Sequence, residues 1–128
     1  ERLQPQMIGI GPFIPHPATP FAEHPAGDIE LTLNTIAIVR LLLPDTLIPA
    51  TTALATLCHG SHREAIEAGA NVIMPSLSPT SVRSKYAIYS GKASSGAEAV
   101  EGIDILRAEL ESIGYTINFN RGDYNEHT

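Results

Sequence analysis

Two adjacent hydroxyls, Thr51 and Thr52, close an apolar, threonine-rich run, Thr46-Leu-Ile-Pro-Ala-Thr-Thr-Ala53, which reads as a strand entering a loop. In parallel α/β architectures ligands sit at the carboxy-terminal ends of strands. A hydroxyl pair there can hold a carboxylate or another small anion with help from backbone N–H groups. The plainer explanation is threonine's preference for strands. Met7 and Met74, in two further strand candidates, offer soft thioether surfaces suited to an adenine or a sulfur-bearing ligand, although core filling is the commoner use of such methionines. Gly9-Ile10-Gly11 permits close backbone approach to a ligand. It is not a phosphate loop, since neither a glycine-rich turn into a helix nor a P-loop lysine follows. Tyr86 and Tyr89 stand three apart on a predicted helix and share one face, packed on the sheet or set at a ligand mouth.

His16, His24, His59 and His62 give no pair four apart on a predicted helix, so a metalloenzyme motif is not formed. Cys58, beside His59 and His62, has no orienting carboxylate in its pattern and reads as a plain cysteine. As the single cysteine it can supply neither a four-thiolate zinc site nor the three thiolates of an iron–sulfur cluster.

These residues need elements to hold them. The 128 residues fit one domain. Fourteen acidic against eight basic side chains, a net charge of −6, provide no field to gather nucleic acid or an anionic membrane surface. The longest apolar run, Leu31 to Leu43, contains Arg40 and is shorter than the ~20 residues a membrane span needs. With one cysteine and no basic-then-apolar opening, a reducing cytoplasm is expected.

Gln6 to Pro15 reads as a first strand running into a long proline-rich loop. Asp28 then caps a helix with apolar positions Ile29, Leu33, Ile36, Val39 and Leu43, stopped by Pro44 and so apolar that it needs cover on more than one side. The run from Thr46 is a second strand, and Ser61 with Glu64 boxes a short helix ending at Gly69. Asn71 to Pro75 is a third strand, and a helix runs from Ser78 to about Tyr89. Ser95 and Glu98 open the ladder Val100, Ile103, Leu106, Leu110 and Ile113, closed by Gly114, and Thr116 to Phe119 is a last strand candidate. The alternation predicts an α/β class, consecutive βα units on a parallel sheet. It leaves open an open sheet or part of a (β/α)8 barrel; a whole barrel needs roughly 250 residues.

Five segments, in consistent order and spacing, are more specific: Met7-Ile-Gly-Ile-Gly-Pro-Phe-Ile-Pro-His-Pro-Ala-Thr-Pro20, Leu42-Leu-Pro44, Ile48-Pro-Ala-Thr-Thr-Ala53, Gly69-Ala-Asn-Val-Ile-Met-Pro75 and Tyr86-Ala-Ile-Tyr-Ser-Gly-Lys92. From about Met7 to Tyr124 the chain resembles the carboxy-terminal part of the radical S-adenosylmethionine (SAM) maturases of FeFe-hydrogenase, relatives of biotin synthase. The resemblance implies the carboxy-terminal segment of a (β/α)8 TIM barrel: residues 1–92 as its last three βα units and 93–128 as a terminal helix and extension. It implies a cavity for SAM and a small anionic, cysteine-derived or iron-bound substrate, with Met7, Thr51, Thr52 and Tyr89 facing substrate and Met74 and Tyr86 facing SAM.

The family's CxxxCxxC motif for a 4Fe–4S cluster is absent, as is a second cysteine group that some relatives carry after the Tyr-x-Gly-Lys segment, where Ala93-Ser-Ser-Gly96 stands. The chain therefore reads as a fragment. It is an enzyme only as part of a longer polypeptide, its partner being the missing amino-terminal half of the barrel. Two alternatives are a biotin-synthase-like radical enzyme acting on another sulfur substrate and a non-catalytic α/β binding or scaffold module.

Overall fold

The computed structural model describes residues 3–58, 62–75, 99–120 and 122–124. Among them are four helices, α1 (Ile29–Leu42), α2 (Thr52–Leu57), α3 (Arg63–Glu67) and α4 (Ala99–Ser112). α1 starts where its cap demands: Asp28 Oδ1 accepts the Leu31 N–H at 2.7 Å, and Glu30 adds a negative charge to the first turn, where the helix dipole favours it. It ends before Pro44, with the Leu43 N–H donating to the Val39 carbonyl at 2.8 Å. α4 follows the predicted ladder, with Leu106 and Leu110 buried, and the chain leaves it through Gly114 at φ +81°.

The extended segments correct the predicted class. The α/β fold expected, βα units of a parallel sheet forming part of a TIM barrel, is not found: the described residues contain no strand, and Thr116 to Phe119 forms none either. The segments around Met7, Pro49 and Val72 meet only through two isolated parallel bridges, Met7 with Leu47 and Pro49 with Val72. The supply of donors explains why. Leu47 donates to the Gln6 carbonyl at 3.0 Å and accepts the Ile8 N–H at 2.9 Å. The next rung on that side needs an N–H from position 49, which is proline. On the other flank Ala50 donates to the Val72 carbonyl at 2.8 Å and Val72 to the Ile48 carbonyl at 3.2 Å. Below that pair the Ile48 N–H donates at 2.8 Å to Asn71 Oδ1, a side chain standing in for a ladder carbonyl. Each ladder stops after one rung.

The helix predicted from Ser78 to Tyr89, the boundary at 92/93, the capping Ser61 and the Ser95 and Glu98 box before α4 lie outside the described residues. α3 begins behind His62, which makes no side-chain cap bond.

Alternation still decides which side faces inward. Ile48 and Ala50 are buried, and Ile10 and Ile73 pack with them against Ile36, Leu54, Ile66, Leu106 and Leu110. The opposite side carries Met7 and Met74, 48% and 64% exposed. α1 buries Thr32 and Ile36 but leaves Leu31, Ile38, Leu41 and Leu42 exposed, so the second cover its composition asks for is not supplied by the described residues.

Arg40 ties the end of α1 to the turn after α3, its Nε donating to the Gly69 carbonyl at 2.8 Å and its Nη1 to the Pro44 carbonyl at 2.6 Å. Gly69 has φ +118°, and a Cβ there would lie 2.9 Å from Cβ and Cγ of Arg40, whereas a Cβ at Gly114 meets nothing within 4 Å. Gly114→Ala is therefore expected to cost about 1 kcal/mol of backbone strain, and Gly69→Ala about 2–3 kcal/mol because a clash adds to the strain. Urea denaturation of both variants measures this, and equal losses would show that the Arg40 contact is slack.

Candidate functional site

The site is built where the central segment turns into α2. Carrying the two bridge registers forward by four and by two residues sets Gly11, Thr51 and Met74 level. The pairing of Gly11 with Thr51 is direct, since a Cβ on Gly11 would lie 2.8 Å from Thr51 Oγ1. Thr51, at φ −72° and ψ 146°, is the N-cap of α2, and its Oγ1 accepts the Leu54 N–H at 3.4 Å. Thr52 is the first helical residue, and its carbonyl accepts the Thr56 hydroxyl at 2.7 Å. Both threonines are half-buried. α2 itself was hidden behind the strand preference of its two threonines; a capping hydroxyl before Ala-Leu-Ala-Thr-Leu was the signal for it.

Of the six predicted site residues, Thr51 and Thr52 are adjacent, and Met74 lies two residues beyond Val72, which bridges Pro49, so that the register continued by two residues would bring it level with Thr51. Met7 stands level with Leu47, four residues down the segment from Thr51 and so roughly 13 Å away. Tyr86 and Tyr89 lie outside the described residues. The proline-rich loop leaves from the Gly11 end and closes on itself. The Gly27 N–H donates to the Phe13 carbonyl at 2.8 Å. Inside the loop the Phe21 ring stacks edge-on to Phe13 and His24 at centroid distances of 6.3 and 5.4 Å. His16 Nδ1 accepts the Ala18 N–H at 3.1 Å.

On the outer side, Glu109 of α4 does for α3 what no neighbour does: its Oε1 accepts the His62 and Arg63 N–H groups at 3.0 and 3.2 Å. Burial pushes the Cys58 thiol pKa up, and the charge of Glu64 adds to that, the reverse of what a metal-ligand thiolate or nucleophile needs. Among the described residues no three His, Cys, Asp or Glu side chains gather as metal ligands. A multi-thiolate iron–sulfur cluster does not fit these residues. A groove of about 260 Å³, lined in part by Gln4, Leu43, Asp45, Thr46 and Tyr124, lies at the opposite end of the central segment from Thr51. No helix among the described residues is long and apolar enough to cross a membrane.

Burial holds the His62 pKa below its ordinary 6.5, with Glu109 opposing the shift. The folded chain then binds fewer protons at this ring than the unfolded chain does. Its contribution to stability is complete above pH 6.5 and is lost as pH falls toward the folded-state value. Stability measured against pH should therefore fall less steeply below 6.5 in His62→Gln than in the wild type; an identical slope would show that His62 is not the titrating group.

No family model matches the chain. Over 86 residues, 67% of its length, it is 52% identical to the FeFe hydrogenase maturase subunit HydE of Thermotoga maritima. The chain spans about a quarter of that relative's length. The likeness expected from the glycine–proline and Pro-Ala-Thr-Thr-Ala segments is thus found in a curated protein. By sequence this chain is HydE-like, answering to a carboxy-terminal part of such a protein.

Proposed function

We propose that the chain is part of a SAM-dependent radical maturase for the FeFe-hydrogenase cofactor, in the cytoplasm, and forms a wall against which a small anionic, cysteine-derived or iron-bound substrate rests. The observation that carries this is the 52% identity with HydE over 86 residues. On this reading Thr51, Thr52, Met7 and Tyr89 face substrate, and Met74 and Tyr86 face SAM. In support, the Thr51 hydroxyl spends one lone pair on the Leu54 N–H and keeps its proton to donate to an anion. Met74 is open on the same level, 64% exposed, and suits the adenine or sulfonium of SAM. A substrate that touches both Met7 and Thr51 lies along the segment, bridging roughly 13 Å.

The 4Fe–4S cluster finds no seat in a chain whose single cysteine is Cys58. Its ligands belong to the length of the relative that the chain does not span, and the chain's own contribution is binding. The partner is that remainder. Three features support surfaces left for it: the exposed Leu31, Ile38, Leu41 and Leu42 of α1, the exposed Met7, and the Met7 and Gly9 peptide groups, which the Leu47 bridge leaves facing away and which have no backbone partner among the described residues.

In the full-length protein, the double variant Thr51→Val/Thr52→Val is expected to weaken binding of L-cysteine, taken as a probe of the substrate class, about tenfold or more. SAM cleavage should stay largely intact. Unchanged affinity would remove the threonines from the substrate contact. A full-length protein with no visible cluster absorption after anaerobic reconstitution and no SAM cleavage would favour a scaffold instead.

A further inference from the structure

Gly9 and Gly11 fall on the same side of the first segment, yet their surroundings differ. A Cβ at Gly9 meets nothing within 4 Å; a Cβ at Gly11 would lie 2.8 Å from Thr51 Oγ1 and 3.5 Å from its Cβ and Cγ2. Neither glycine is among those with positive φ, so space, not backbone conformation, calls for glycine at position 11. The space is closed by one atom, and that atom also serves the cap. Thr51 is stiff about χ1, and the rotamer in which Oγ1 accepts the Leu54 N–H at 3.4 Å is also the one that leans over Gly11.

We propose that Gly11 is a positioning residue for the Thr51 hydroxyl: its missing Cβ admits the rotamer that caps α2 and at the same time leaves the O–H proton to be donated to the substrate's anionic group, a carboxylate or thiolate. The proposal rests on the reading of Thr51 as substrate-facing. A methyl group at position 11 meets Oγ1 at a separation real side chains do not tolerate, and the relief open to Thr51 is rotation about χ1. That rotation removes cap and donor together.

The test is a double-mutant cycle in the full-length protein, reading L-cysteine affinity and exchange of the Leu54 amide in wild type, Gly11→Ala, Thr51→Ala and the double variant. Gly11→Ala should lower the affinity about tenfold, the loss of one hydrogen bond to an anion, and speed exchange at Leu54. In the Thr51→Ala background it should change neither, because no hydroxyl is left to displace. Should Gly11→Ala alone not fold while the double variant does, the same clash is shown. Wild-type affinity in Gly11→Ala, or an undiminished loss in the Thr51→Ala background, would overturn the proposal. If Thr51→Ala leaves L-cysteine binding unchanged, the substrate-facing reading fails by itself, and the Leu54 amide decides: unaltered exchange in Gly11→Ala overturns the positioning role, faster exchange upholds the hydroxyl's placement.

Discussion

The central segment, Leu47 to Thr51, is held on each flank by a single rung, because Pro49 has no N–H to give the first ladder and Asn71 Oδ1 takes the Ile48 N–H beside the second. Burial of Ile48, the segment's own fully buried side chain, at roughly 1.5–3 kcal/mol, is of the same order as the four rung bonds at about 1 kcal/mol net each. Packing and the two rungs together place the segment. Thr51 is its last residue and the N-cap of α2, so the threonine end inherits its position from both.

What the sequence made legible were features whose causes are local. α1 could be read to within a residue because Asp28 opens it and Pro44 closes it, and the end of α4 because its apolar ladder stops at Gly114. The extended segments mislead. A short apolar run between prolines looks like a buried strand, but a strand also needs a donor at every second position, and Pro49 withholds one where the ladder should continue. α2 escapes the pattern for the opposite reason, since the capping role of Thr51 overrides the strand preference of Thr51 and Thr52.

The site divides along the same line. The threonine pair was visible from residue type and place, and the structure puts both at the turn into α2. Gly11 suggested a backbone open to a ligand, but the space beside it is filled from a segment 40 residues away by Thr51 Oγ1, a tertiary contact that no spacing announces. Glu109 capping α3 from α4 was equally out of reach, with 46 and 47 residues between the partners. Similarity to a quarter of HydE's length stands beside a core of the chain's own and, among the described residues, an uncovered apolar face of α1 and an unpaired backbone edge at Met7 and Gly9, the features on which the proposed docking to the remainder of such a protein rests.

Amide exchange at Met7 and Gly9 tests that picture most directly, compared between the 128-residue chain and a full-length HydE-like protein containing it. Fast exchange in the shorter chain and strong protection in the longer one is the expected result. Equal exchange in both would mean that nothing covers this edge, and the chain would then be no part of a larger site.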